Sequence, residues 1–285
     1  MAGSAWGNAF SSSGTPHDPP LTSHGRDQAI ELGQHLSVSG LKVDRLLCSP
    51  YTRCLQTAEY IIGVTGGEIL VEHGLSEWYL PIRAASKGVH PRPGTAAHLS
   101  HSFTHINPDA HQSLLYPSRK GESEEALHER AKEILRLIVR QYDEDIYAPR
   151  TILIVAHAAV NIALGRALIG ERDARIHVGT CSLSAYRRTL EPQDRRTRED
   201  AEYFGLGRQD VLGTWTCERN GDCSFLTSGE ERDWQFSYVE EYEEEGELDP
   251  SYVPSEDDKA PFSLSEGASV HEDAFSVEQA LKPKL

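Results

Sequence analysis

Apolar residues along this chain change period several times, and each change predicts an element. Thr22 is placed to cap a helix in which Ala29, Leu32 and Leu36 fall three and then four residues apart, the spacing of a single helical face. The run VDRLLCS, residues 43–49, reads as a short strand followed at once by Ser49-Pro50, a capping residue with proline at the first helical position. GEILVEHGL, residues 67–75, is a second strand, and the Gly/Pro/His/Ser-rich stretch from about 86 to 122 reads as a long loop or lid. After Ser123, the residues Leu127, Ala131, Ile134, Leu135 and Ile138 form an amphipathic stripe, with acidic residues in the first turn where the helix dipole favours them.

The sharpest signal is RTILIVAHAAVNIALGRAL, an apolar run of strand length that ends at His157 and passes directly into a helix. Continuous apolar runs of this kind belong to parallel strands covered on both faces. CSLSAYRRT, residues 181–189, reads as an edge or late strand. Alternation of strand and helix through about residue 190 predicts an α/β sandwich, and the first 20 residues read as coil. Beyond a linker at 191–204, residues 205–240 alternate aromatic and polar positions about Asn220-Gly221, which predicts a small β-hairpin with Trp215, Cys217, Phe225, Trp234 and Phe236 on its apolar side. From 241 to 285 an acidic, Ser/Pro-containing tail is expected to stay disordered, because it has little apolar surface to bury.

Composition narrows the possible functions. The 285 residues carry a formal charge of −16, which argues against direct nucleic-acid binding, since phosphate backbones are held by clustered Lys and Arg. Five scattered Cys with no CxxC pair indicate neither a disulfide framework nor a zinc site. No stretch reaches membrane-spanning length and the N-terminus has no secretory pattern, so the chain reads as intracellular and soluble, nuclear or cytoplasmic.

In open α/β sheets, ligands bind at the carboxyl ends of the strands. Three candidates stand there. Arg53 falls in the first turn of the helix after Pro50, where amides and dipole favour an anion and a guanidinium adds a two-pronged phosphate donor. His157 follows the most apolar strand and could hydrogen-bond a phosphoryl oxygen. Glu77, beside Trp78 and Tyr79, could protonate a leaving oxygen if an apolar wall raised its pKa. Taken singly each has a plainer reading, as a surface arginine, a structural histidine and a rim carboxylate.

Their order and surroundings resemble the histidine phosphatase superfamily, with its phosphoglycerate-mutase-like fold. DPPLTSHGRDQA is similar to that family's DxPLTxxGxxQA helix start and SPYTRCLQTA to its SPxxRxxQTA phosphate-arginine motif. GLSEWY resembles the segment holding the acid, KGES the Gly-Glu-Ser turn, and ILIVAHAAV the strand bearing the second histidine. The resemblance covers residues 18 to about 190. It implies a three-layer α/β/α sandwich with a mostly parallel sheet, phosphate bound by Arg53 and His157, Glu77 as proton donor, a phosphomonoester substrate, and no metal or other cofactor.

The family's nucleophile belongs to an Arg-His-Gly motif on a first central strand upstream of the DxPLTxxG segment. Here His24-Gly25-Arg26 falls inside that segment at a variable position, within the helix that Thr22 begins, and nothing resembling the strand precedes it. The domain, residues 21–190, is therefore expected to lack its first central strand, as a shortened form of a longer product or as a degenerate pseudoenzyme. Histidine-dependent hydrolysis is expected of a full-length form and not of the sequence as given. NGDCSFLTSGEERDWQF resembles part of a β-barrel module of the tau 55-kDa subunit family of RNA polymerase III transcription factor C, which in fungi can share a chain with a histidine phosphatase domain. That implies the alternative function, a non-catalytic subunit that binds a transcription-factor partner through 205–240.

Overall fold

The computed structural model describes residues 17–143, 151–189, 212–239, 243–254 and 260–265. The linker at 191–204 and most of the N-terminal coil lie outside the described residues. Three parallel strands form the central sheet: β1 (Arg45–Cys48) lies between β2 (Ile69–Val71) and β4 (Ile152–Val155), with Leu47 opposite Leu70 on one side and Ile154 on the other. Successive side chains of β1 point to opposite faces, so one strand feeds two cores. Leu46 and Cys48 pack with helices α1 (Ser23–Val38) and α2 (Thr52–Thr65) through Leu32, Leu36, Leu55 and Ile61. Leu47 packs on the other face with α4 (Glu124–Asp143) and α5 (Ala158–Ile169) through Leu127, Ile134, Ile138 and Val160. The result is the expected α/β/α sandwich.

Local capping follows the sequence where the partner is near. Thr22 Oγ1 accepts from the Gly25 amide at 3.1 Å, and Ser123 Oγ accepts from Ala126 at 3.2 Å. The start of α2 differs from expectation. Its cap position is Tyr51, whose side chain makes no capping bond; the buried Asp18 does the work, accepting from the Thr52 amide at 2.8 Å and its hydroxyl at 2.6 Å. Ser49 is thereby released for another contact. The long 86–122 segment carries a one-turn helix α3 (Ala96–Leu99) and a short strand β3 (Leu115–Pro117), and is otherwise irregular.

The edge of the sheet at β4 is less covered than the edge at β2. β4 packs side chains into both cores, Ile152 and Ile154 into one and Leu153 and Val155 into the other, yet every residue in it is half-buried where those of β2 are fully buried. The next strand, β5 (Leu183–Arg188), also feeds both cores through Leu183 and Tyr186. Among the described residues β4 bonds only β1, and β5 bonds only β6 (Trp215–Asp222).

The C-terminal antiparallel pair is present, but its turn is not at Asn220-Gly221. Both residues lie inside β6, which pairs with β5 with a register shift where Leu183 faces Asp222 and Ala185 faces Arg219. Gly221, at φ +70°, takes up that irregularity, and its neighbour Asn220 bonds the loop of α5, accepting from the His177 amide at 2.8 Å and donating to the Arg175 carbonyl at 2.9 Å. An Asn-Gly pair serves either a two-residue turn or a bulge, and here tertiary pairing with β5 selects the bulge. Trp234 and Phe236 pack with Trp78 and the α4–α5 core, so the aromatic stripe faces the domain.

Two described stretches of the acidic tail, 243–254 and 260–265, pair with the domain. Glu244 and Glu247 form bridges with Ile82 and Val89, and β7 (Phe262–Leu264) pairs antiparallel with β3. An extended backbone gains hydrogen bonds from an unpaired strand edge without needing an apolar face of its own.

Candidate active site

The three candidates converge on one hollow at the carboxyl ends of β1 and β4. Arg53 comes from the first turn of α2, His157 from the residue that opens α5, and Glu77 from the chain after the 3-10 turn His73–Leu75. Arg53 Nη2 is 2.8 Å from Glu77 Oε2 and 3.0 Å from His157 Nδ1; the same carboxylate oxygen is 3.2 Å from His157 Nδ1. His157 Nε2 shares a 2.7 Å hydrogen bond with the Ser49 hydroxyl. Tyr51 meets the imidazole edge-on at 5.2 Å between centroids, and the Arg53 guanidinium lies 5.0 Å over the Tyr51 ring.

Charge in this hollow is mutually determined. Burial works against an imidazolium, but Cys54 and Glu77 outweigh it and raise His157 to about 9. Burial likewise works to raise Glu77, and His157 and Arg53 overcome it and hold the carboxyl well below the usual carboxylate range. Arg53 stays charged for the same reason, burial being outweighed by Glu77. The apolar wall beside Glu77 therefore does not raise its pKa as the sequence implied, because two cations stand closer to the carboxylate than the aromatic rings do. Nδ1 of His157 accepts from Arg53 when the ring is neutral and donates to Glu77 when it is protonated. One carboxylate oxygen, Glu77 Oε2, faces both Arg53 Nη2 and His157 Nδ1.

Several residues that build this site were not read as functional from the sequence. Arg130, on the buried face of α4, is fully buried and donates through Nη1 to the carbonyls of Gly74 at 2.7 Å and Ser76 at 3.0 Å, while its Nε bonds Glu122 at 3.0 Å. It clamps the backbone immediately before Glu77. Its signal was a charged residue within an otherwise apolar stripe. Gln56, the Gln of QTA, accepts from the Leu21 amide at 2.7 Å, and Asp18 caps α2, so the two ends of the DPPLT segment are fastened to the helix that carries Arg53. Cys54 Sγ lies 3.7 Å from His157 Nε2.

Next to the triad lies a cleft that shares Glu77 and Tyr51 with it and is walled also by Tyr79, His90, Arg92 and Arg119. The other early histidines lie elsewhere. His24, on α1, bonds Glu231 at 3.0 Å, and His17 bonds Glu247 at 3.0 Å. Among the described residues one trio, His177, Glu230 and Asp233, brings metal-ligating atoms within 4.8 Å of one another, and none of the three lines the cleft. No helix among the described residues is long and apolar enough to cross a membrane.

The fold agrees with comparison to known proteins. The family model of the histidine phosphatase superfamily (branch 1) matches residues 4–198, and the chain belongs to that superfamily. It is 32% identical over 239 residues to the transcription factor tau 55 kDa subunit of Saccharomyces cerevisiae, covering 80% of this chain and 54% of that protein. It is 30% identical over 164 residues to the ecdysteroid-phosphate phosphatase of Drosophila melanogaster, covering 55% of this chain and 20% of that one. The chain thus spans about half the length, or less, of these relatives. Among solved structures, an ecdysone phosphate phosphatase from Bombix mori matches 72% of this chain and 73% of its own, at 18% identity and a TM-score of 0.46.

Proposed function

We propose that the cleft binds the phosphoryl group of a phosphomonoester, with Arg53 and His157 as the phosphate ligands and Glu77 as the proton donor to the leaving oxygen. The observation that carries this reading is the pair of nitrogens, Arg53 Nη2 and His157 Nδ1, held 3.0 Å apart and both facing a single carboxylate oxygen. A phosphate dianion is a stronger partner for two such donors than a carboxylate, and it would displace Glu77 from between them. Once beside a dianion instead of two uncompensated cations, Glu77 is driven toward its protonated form, the form a general acid needs.

Hydrolysis through phosphohistidine requires a second imidazole facing His157 across the phosphate. Among the described residues no other histidine contacts Arg53, and β4 bonds only β1. We infer that the residues described here bind phosphate without turning it over, because turnover needs a second histidine facing His157. The test is hydrolysis of p-nitrophenyl phosphate by the purified chain. No release above that of an Arg53→Ala variant is expected; turnover abolished by His157→Ala would contradict the assignment.

A second reading has its own support. The likeness to the yeast tau subunit covers 80% of the chain and so continues past residue 198, where the phosphatase family match ends. On this reading the protein is a nuclear subunit of the RNA polymerase III transcription factor C complex, and segment 205–240 contributes the partner contact. Affinity purification of the tagged chain from fungal nuclei, followed by mass spectrometry, is expected to recover other subunits of that factor. Recovery of none would contradict it.

A further inference from the structure

The loop 81–92, part of which lines the cleft, is backed by a segment far away in sequence. Residues 244–252 run along the loop 81–92: the Glu244 amide donates to the Pro81 carbonyl at 3.0 Å, the Arg83 amide to Glu244 at 2.7 Å, and Val89 and Glu247 exchange bonds of 2.8 and 3.0 Å. The two backbones cross so closely that a Cβ on Gly88 would fall 2.1 Å from the Glu245 carbonyl oxygen, and one on Gly246, at φ +68°, 2.5 Å from Ile82 Cδ1. Only glycine on both sides permits the seam, so this contact is built into the sequence and is not a loose tail resting on a surface.

The seam aims carboxylates at the cationic side of the cleft. Asp249 Oδ2 lies 2.8 Å from Arg119 Nη1, while Asp249 Oδ1 accepts from the Ser251 amide at 2.9 Å and its hydroxyl at 2.6 Å. Arg119 itself lines the cleft, is anchored by its Nε on the His90 carbonyl at 2.9 Å, and lies over the Tyr252 ring at 5.5 Å. Glu244 approaches the His90 ring at 3.9 Å, with Glu245 on Arg83 at 2.6 Å and Glu247 on His17 at 3.0 Å. Bonds from Ser251 and Arg119 hold Asp249 at about 2, so the cap is ionised throughout the neutral range.

We propose that this strap is a specificity element: by capping Arg119 with Asp249 and setting Glu244 against His90, both residues of the cleft lining, it admits phosphomonoesters whose leaving group carries no second anion and rejects those that do. The proposal rests on the phosphate-binding reading above and adds the substrate class to it. Rejection by like charge is the means by which many sites discriminate between ligands that share an anchor group.

Ethyl phosphate and phosphoglycolate share the phosphoryl anchor and differ in that one ends in a methyl group and the other in a carboxylate. Their dissociation constants are measured calorimetrically on the full chain, on Asp249→Asn, and on Asp249→Asn combined with Arg119→Gln. The wild-type chain is expected to favour ethyl phosphate. Asp249→Asn is expected to tighten phosphoglycolate by about fivefold and to leave ethyl phosphate within about twofold, and the added Arg119→Gln to remove the gain. Glu244→Gln, which leaves the Asp249 cap in place, is expected to shift the ratio in the same direction. Equal effects on both ligands, no effect, or a wild-type preference for phosphoglycolate would overturn the proposal while leaving phosphate binding intact. Binding of neither ligand to the wild-type chain would overturn both.

Discussion

Glu77 and Arg53 meet at 2.8 Å beside the cleft, and the carboxylate oxygen that makes this contact is the one that also faces the His157 imidazole. The unliganded site therefore holds an anion of its own. Removing that anion without changing its shape is expected to help an external one: Glu77→Gln should tighten binding of inorganic phosphate, by about tenfold if a charge-assisted bond of about 1.5 kcal/mol is freed. Phosphorus NMR titration checks the direction. Weaker binding in Glu77→Gln would show that the carboxylate supports the phosphate site instead of occupying it.

The charge on His157 makes the site sensitive to alkali. Its folded value of about 9 lies above the ordinary 6.5, so its contribution to stability is complete below 6.5 and is lost as pH rises through 9. Glu77 is shifted the other way, so its contribution is present above the ordinary 4.5 and is lost as pH falls toward its lowered folded value. Stability is thus expected to decline between pH 6.5 and 9, and His157→Gln is expected to flatten that decline in denaturant titrations. An unchanged slope in the variant would refute the assignment of the charge to His157.

Arg130 acts on the site through backbone. Its guanidinium bonds Gly74, Ser76 and Glu122 in full burial, and removing one partner of a buried ion pair leaves the other uncompensated. Arg130→Ala is expected to lower unfolding stability by about 3–5 kcal/mol. Arg130→Met combined with Glu122→Gln should recover part of the loss without restoring the clamp before Glu77. Guanidinium unfolding measures the first effect, and phosphate affinity of the double variant measures the second. Full stability in Arg130→Ala would contradict the role given to this residue.

What could be read from the sequence divides along the distance between partners. The α4 stripe, the Thr22 cap and the passage from β4 through His157 into α5 are governed by residues within a turn or two, and periodicity showed them. Asp18 caps a helix 34 residues away, Arg130 grips carbonyls more than 50 residues back, and the strap pairs Glu247 with Val89. No local period records such pairings. Asn220-Gly221 shows the opposite hazard, since the dipeptide that favours a turn in isolation is pulled into a strand by pairing with β5. At Glu77 the neighbours in sequence are aromatic but the neighbours in space are cations, and the charge state follows space.

The convergence of Arg53 and His157 on one anion position is tested most directly by calorimetric titration of the full chain with inorganic phosphate at neutral pH, in parallel with Arg53→Ala and His157→Ala. The account predicts single-site binding by the wild-type chain and a loss of at least about tenfold in either variant, with folding intact by circular dichroism. Wild-type binding that neither substitution weakens, or no binding at all, would contradict it.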